Sequence, residues 1–205
     1  MRLDLITKHF CPNTILDIGA NIGQFHNIAK SFFPDSFIFS IEASSDCEPY
    51  LKSITDNYYI GLLSKDNSEY DFYSRKDTGI GTGNSMYREN TDFYSDEKVK
   101  VIKKTGIKLD DLMDKNKQFD LIKIDTQGSE LDIIQGGIDL CKRAKGILLE
   151  VSITEYNKGS PLYDEVINFM NGIGFKVSDV LGEERNHGSN QQDILFLNQK
   201  YFAQQ

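Results

Sequence analysis

Apolar positions along this chain alternate between two periods from the N-terminus onward. Residues 14–20, Thr-Ile-Leu-Asp-Ile-Gly-Ala, read as a buried strand, and residues 23–33 set Phe25, Ile28, Ala29, Phe32 and Phe33 at helical spacing. Pro34-Asp35 ends that helix, residues 36–43 form a second strand, and Ser45 or Asp46 caps a short helix through Ile54. A third strand is predicted over 58–64. After an interruption the rhythm resumes with a short helix at 109–113, a strand at 119–125 and a helix from Ser129 to about Gly136-Gly137. A strand at 146–151 and a helix at 162–170 follow, the latter closed by Gly172 and Gly174. Strands at 176–181 and 193–197 have no helix between them, which predicts an antiparallel pair at one edge. Strands alternating with helices predict an α/β fold, a mainly parallel sheet covered on both faces.

The interruption spans residues 65–106. Glu69–Ser74 and Lys98–Lys103 alternate like half-exposed strands, and Gly79, Gly81 and Gly83 lie between them. This reads as a hairpin-like insertion with a flexible glycine loop, and residues 75–95 are expected to form a lid. With 205 residues and 39% hydrophobic residues, the chain suits one domain over 1–205. No apolar run approaches the roughly 18 residues of a spanning helix, and the N-terminus carries no secretory signal pattern. Cys11, Cys47 and Cys141 are too scattered for a disulfide framework or a zinc site, so reduced thiols and a cytoplasmic location are expected, with no metal. The net charge of -8 argues against a nucleic-acid partner.

Candidate chemistry gathers at the strand ends. Asp17-Ile18-Gly19-Ala20-Asn21-Ile22-Gly23 lies where a strand turns into a helix, the place where open α/β sheets bind anionic groups. Asn21 stands where a dinucleotide fingerprint has its second glycine, so a small ligand with one carboxylate, such as S-adenosylmethionine, fits better than a pyrophosphate. Glu42 follows Gly19 by 23 positions, near the spacing of an acid that accepts ribose hydroxyls. Asp125 and Glu150 end later strands and converge on the same crevice. Glu130 suits the positive end of a helix, His26 packs, and His187 is a loop histidine able to act as a base. A nicotinamide-dependent oxidoreductase and a non-catalytic nucleoside-binding domain are the competing readings.

These motifs together resemble the FkbM family of S-adenosylmethionine-dependent methyltransferases. The resemblance rests on residues 15–25, Ile41-Glu42, Lys108–Leu112, Leu121-Ile122-Lys123-Ile124-Asp125-Thr126-Gln127-Gly128-Ser129-Glu130, Leu149–Ser152 and Gln192–Phe196. It implies a Rossmann-like class I methyltransferase fold of seven strands with the last antiparallel, and O-methylation of a sugar, glycan or secondary-metabolite hydroxyl. Asp17, Gly19, Ala20, Asn21 and Gly23 match the loop around the methionyl part of the cofactor, which Gln24 and Phe25 continue. Glu42, followed by Ala43 rather than the family's usual proline, matches the ribose acid. Asp125 matches the acid beside the methyl group and is the first candidate for base or acceptor orienter, with Glu150 the second. Asn84-Ser85-Met86 resembles a serine-bearing stretch of the family's central loop.

Overall fold

The computed structural model describes residues 1–78, 80–181 and 190–202. A 3-10 turn at Leu3–Lys8 leads into β1 (Thr14–Ile18), α1 (Gln24–Phe32) and β2 (Phe37–Glu42). Next come α2 (Glu48–Ile54), β3 (Tyr58–Ile60), β4 (Leu62–Leu63), β5 (Glu69–Arg75) and β6 (Val99–Ile107). The chain continues with α3 (Leu109–Leu112), β7 (Leu121–Ile124), α4 (Glu130–Gly136), α5 (Ile138–Cys141) and β8 (Gly146–Ser152). It ends with α6 (Tyr163–Gly172), β9 (Phe175–Val180), β10 (Gln191–Asn198) and α7 (Gln199–Phe202).

Seven strands form one sheet in the order β3-β2-β1-β7-β8-β10-β9. All neighbours are parallel except β10, which runs antiparallel to both β8 and β9. This is the Rossmann-like arrangement of class I methyltransferases. Apart from Asp17 and Lys123, both faces of β1, β7 and β8 are largely apolar within the sheet, as one covered on two sides requires. Ile15, Leu121 and Leu148 face Phe25, Ala29 and Phe33 of the α1 region. Leu16, Ile122 and Ile147 face a second cluster with Leu131, Ile134, Val166 and Met170 from α4 and α6. Each fully buried Leu or Ile stabilises the fold by roughly 1.5–3 kcal/mol. No described helix is long and apolar enough to cross a membrane.

The expected third strand over 58–64 is in fact two. Gly61 breaks the run, so Tyr58–Ile60 edges the large sheet while Leu62–Leu63 pairs with the end of β6. The insertion is accordingly a three-stranded sheet, β4-β6-β5, in which β5 and β6 pair antiparallel from Glu69–Thr105 to Arg75–Val99. Gly81 and Gly83, between its arms, are closely packed. A Cβ on Gly83 would collide with the Glu89 carboxylate, and one on Gly81 would crowd Asn84 and Tyr94. Gly79 lies outside the described residues.

The far, N-terminal end of the parallel strands is locked by Asp120. Its Oδ2 accepts the backbone N–H groups of Asn13 (2.8 Å) and Thr14 (3.3 Å), and Lys145 Nζ lies 2.9 Å from its Oδ1. Burial would raise its pKa, but Lys145 and the two N–H donors outweigh that and hold it below the ordinary range. Its contribution is therefore present above the normal carboxylate pKa and is lost as pH falls through the depressed folded value. Asp120→Ala should cost about 1–3 kcal/mol in urea unfolding at neutral pH. The deficit should shrink in acid, and ligand affinity at the opposite end of the sheet should not change; an unshifted midpoint would remove Asp120 from this role.

Candidate active site

The strand order reverses between β1 and β7: the chain leaves β1 toward β2 on one side, and β7 pairs with β1 on the other. Loops leaving the two strands diverge there and open a crevice beyond their C-terminal ends. A cavity of about 470 Å³ occupies that crevice. Gly19, Ala20, Asn21, Gln24 and Phe25 form its floor, Glu42 and Ala43 one side, and Asp125 and Glu150 the other. Leu62, Leu63 and Phe72 of the small sheet close one end, and Asn84, Ser85, Met86, Glu89, Tyr156 and Gln191 line the rest.

The glycine loop is built around backbone hydrogen bonds. Gly19 and Ala20 both donate to the Ile41 carbonyl, at 2.9 and 3.0 Å, so the loop is strapped across the end of β2. Gly19 has φ +77°, and a Cβ there would collide with the Asp125 carbonyl oxygen. Only glycine permits both the left-handed backbone and the close approach of the β1 and β7 loops. Asn21 adopts φ +49°, and its side-chain oxygen accepts the Ile22 N–H at 2.8 Å rather than filling the cavity freely. Gly23, at φ +88°, does not line the cavity; it faces Ile54 and Leu51 of α2.

Glu42 closes the loop from the side. Its Oε2 accepts the Asn21 N–H (2.8 Å) and its Oε1 the Ser44 N–H (2.7 Å). A carboxylate has more acceptor positions than these two N–H groups use, and Glu42 lines the cavity. Burial raises its pKa against the pull of those N–H donors.

Beneath the loop lies Lys123, the sole buried lysine or arginine among the described residues. Alternation along β7 puts its side chain on the Leu121 face, over the Phe25 ring at 5.5 Å. Its Nζ stands 3.3 Å from Asp125 Oδ2, 3.6 Å from Asp17 Oδ1 and 3.4 Å from the Gly19 carbonyl. Asp17 and Lys123 are cross-strand neighbours in the β1–β7 register. Burial would lower the Lys123 pKa, but Asp125 and Asp17 reverse the sign and raise it. Asp17 is fully buried under the cavity rather than lining it, and neither carboxylate oxygen has a hydrogen-bond partner. Burial pushes its pKa up to about 6.

Asp125 and Glu150 face each other across β7 and β8. One amide nitrogen, Gln127 Nε2, donates to Asp125 Oδ1 (3.1 Å) and to Glu150 Oε2. Burial opposes ionisation of Asp125, yet Lys123 and Gln127 prevail and lower its pKa. Glu150 goes the other way: burial first, then the Asp125 charge, push it up to about 10. Gln127 itself was not singled out as a site residue. Its signal was its place in the Lys-Ile-Asp-x-Gln-Gly-x-Glu run, and its φ of +58° marks a strained turn of the kind found at functional sites.

Other candidates fall elsewhere. Glu130 accepts the Thr126 and Gly128 N–H groups at 2.9 and 3.1 Å and so holds the turn after β7; burial pushes its pKa up to about 7. His26 is buried beside Ser40 Oγ, outside the cavity. Ser85 donates to the Thr126 and Gln127 carbonyls (2.8 and 2.9 Å), which bolts the loop after β5 onto the turn carrying Gln127. His187 lies outside the described residues. Among the described residues no group of three or more His, Cys, Asp or Glu side chains is placed to hold a metal.

Removing Lys123 would leave Asp17 and Asp125 without their shared cation. Lys123→Met should destabilise the protein by about 3–5 kcal/mol in denaturant titrations. Adding Asp17→Asn should recover part of that loss, because it deletes one of the stranded charges. Strictly additive losses in the double variant would show that the three groups do not act together.

Residues 17–177 match the model of the Methyltransferase FkbM domain. No curated protein matches the chain. Among solved structures, the FkbM methyltransferase from Methylobacillus flagellatus KT superposes with a TM-score of 0.58 at 13% identity, over 90% of this chain and 43% of that one. The chain thus spans less than half the length of that relative. The fibrillarin pre-rRNA processing protein of Methanococcus jannaschii gives 0.54 at 12% identity, over 91% and 66% of the two chains. The magnesium protoporphyrin IX methyltransferase of Synechocystis PCC 6803, solved with S-adenosylmethionine bound, gives 0.52 at 7% identity, over 95% and 74%. At these identities the superpositions speak for the fold, while the match over 17–177 covers most of the sequence: the chain belongs to the FkbM methyltransferase family.

Proposed function

We propose that this protein transfers a methyl group from S-adenosylmethionine to a hydroxyl of a sugar, glycan or secondary metabolite. The observation that carries this reading is the charge imbalance of the cavity at the switch point. Carboxyls of Asp17, Glu42, Glu89, Asp125 and Glu150 line or underlie it, against one buried lysine. Lys123 is the one buried cation set against these carboxyls, and it is already shared by Asp17 and Asp125. S-adenosylmethionine brings a sulfonium and an ammonium, and the cavity volume lies within the roughly 300–1,000 Å³ usual for small-ligand sites.

The family resemblance and the cavity lining together suggest the assignments. Gly19, Ala20, Asn21, Gln24 and Phe25 would hold the methionyl part, with Asp17 and Gly23 shaping the loop from behind. Glu42 would take the ribose hydroxyls beside Ala43, and the wall of Leu62, Leu63 and Phe72 suits the flat adenine. When bound, the cofactor supplies an electrophilic methyl group whose departure leaves its bonding pair on sulfur. The chain has two tasks left. It must align the acceptor oxygen, where positioning contributes about 7–11 kcal/mol, and it must remove the hydroxyl proton, worth roughly 10²–10⁴-fold. Asp125 and Glu150 are the groups at hand for both. Asn84, Ser85, Glu89, Tyr156 and Gln191 line the same cavity with hydroxyls, amides and a carboxyl, suited to an acceptor with several hydroxyls.

Calorimetric titration with S-adenosylmethionine, followed by methyl-transfer assays over sugar and secondary-metabolite acceptors, tests the reading; absence of cofactor binding would end it. Glu42→Ala should weaken cofactor binding by about 1.5–3 kcal/mol, the worth of hydrogen bonds to a charged group. Wild-type affinity in that variant would take Glu42 out of the ribose site.

A further inference from the structure

Either Asp125 or Glu150 could take the acceptor's proton, and the geometry around Gln127 separates them. Gln127 is held on several sides. Its backbone sits at φ +58°, its carbonyl accepts the Ser85 hydroxyl at 2.9 Å, and its side-chain oxygen faces Gln191 Nε2 at 3.5 Å. Its amide nitrogen therefore fixes Asp125 and Glu150 at one spot. Two carboxyls so close cannot both be charged unless a cation faces them. Lys123 meets Asp125 and Asp17, not Glu150, in direct contact.

Among the described residues, the other groups around Glu150 add no positive charge. Asp125 faces it from β7, Asp193 pairs opposite it on β10, and Glu130 adds its charge from the start of α4. Tyr156, in the loop after β8, is hydrogen-bonded to Glu89. In the ligand-free protein the pair thus holds one proton, on Glu150, while Asp125 remains the ion.

We infer that binding of the sulfonium cofactor expels the proton of the Asp125–Glu150 pair, that the neutral thioether product does not, and that Glu150 is the base for the acceptor hydroxyl. The inference rests on the proposed S-adenosylmethionine site. A positive charge beside the pair favours the doubly ionised state, and the proton leaves to solvent. Glu150 then meets the acceptor as a carboxylate with unusual proton affinity. Asp125, already neutralised by Lys123, is the weaker base and holds its partner in place. The acceptor's hydroxyl proton ends on Glu150, which restores the pair to its ligand-free state once the cation is gone. The proton released on binding is thus the one net proton that methylation of a hydroxyl yields.

S-adenosylmethionine and S-adenosylhomocysteine share their carboxylate, ammonium, ribose and adenine and differ by the methyl group and its charge. Calorimetry of both ligands at neutral pH, in two buffers of different ionisation enthalpy, counts the protons released. Release of about one proton is expected with S-adenosylmethionine and distinctly less with S-adenosylhomocysteine. Affinity for S-adenosylmethionine should accordingly rise by up to about tenfold per pH unit below the Glu150 pKa, with a flatter profile for the thioether. Glu150→Gln should still bind both ligands but lose the difference in proton count. Equal release by the two ligands in the wild type, or a difference that survives in Glu150→Gln, would overturn the inference while leaving the cofactor site standing. If neither ligand binds, the cofactor reading fails and the inference falls with it.

Discussion

A single buried ammonium organises the functional end of this molecule. Lys123 lies under the glycine loop, within 3.3–3.6 Å of two carboxylates on adjacent strands and 3.4 Å from the loop's own carbonyl. Without it, Asp17 and Asp125 would bring like charges together in a poorly solvated place. With it, the ends of β1 and β7 are drawn together just where the topology otherwise splays them apart. The close approach of Gly19 to the Asp125 carbonyl is the backbone counterpart of the same constraint. A side chain at Gly19 would separate the two loops and move Asp125 off the lysine.

That constraint has an asymmetric electrostatic outcome. Lys123 satisfies Asp125 first, so Asp125 ionises easily and Glu150 is left with burial and repulsion. Two carboxyls bridged by the same amide thereby acquire opposite protonation tendencies, the pattern expected where an acid and a base share one site. Asp17 pays part of the cost. It is fully buried, lacks hydrogen bonds, and lies only within ion-pair distance of Lys123. A fold optimised for stability alone would place an apolar side chain there; the carboxylate instead helps hold the Lys123 ammonium charged.

The sequence displayed the parallel strands and the cavity acids well because both follow from local pattern. Continuous apolar runs such as Leu121-Ile122 mark strands buried on two faces, and Glu42 and Glu150 lie where those runs give way to polarity. The break at Gly61 was less legible, since Tyr58 to Ser64 is uniformly strand-like and only pairing decides which sheet each part joins. The packing of the insertion's glycines is illegible for a related reason. Flexibility and close packing call for the same residue, and only the presence of Glu89 and Tyr94 against Gly83 distinguishes them. Lys123 was visible in the motif but not its position between Asp17 and Asp125, which depends on the β1–β7 register.

Gln127 shows what separates a motif from a mechanism. In the sequence it is one letter after Thr126 in a recognisable run. In the fold its left-handed backbone turns its amide back toward the strand it has just left, so it can reach Asp125 two residues earlier and Glu150 on the next strand. Ser85 then ties this turn to the loop following β5, and Asn157 donates to the Tyr87 carbonyl (3.0 Å) to hold that loop from the other side. The cavity lining contributed by the loop after β5 is thus mechanically continuous with the residue that bridges the two carboxyls. Any displacement of Ser85 is thereby passed to the turn that sets the spacing of Asp125 and Glu150, through one set of hydrogen bonds.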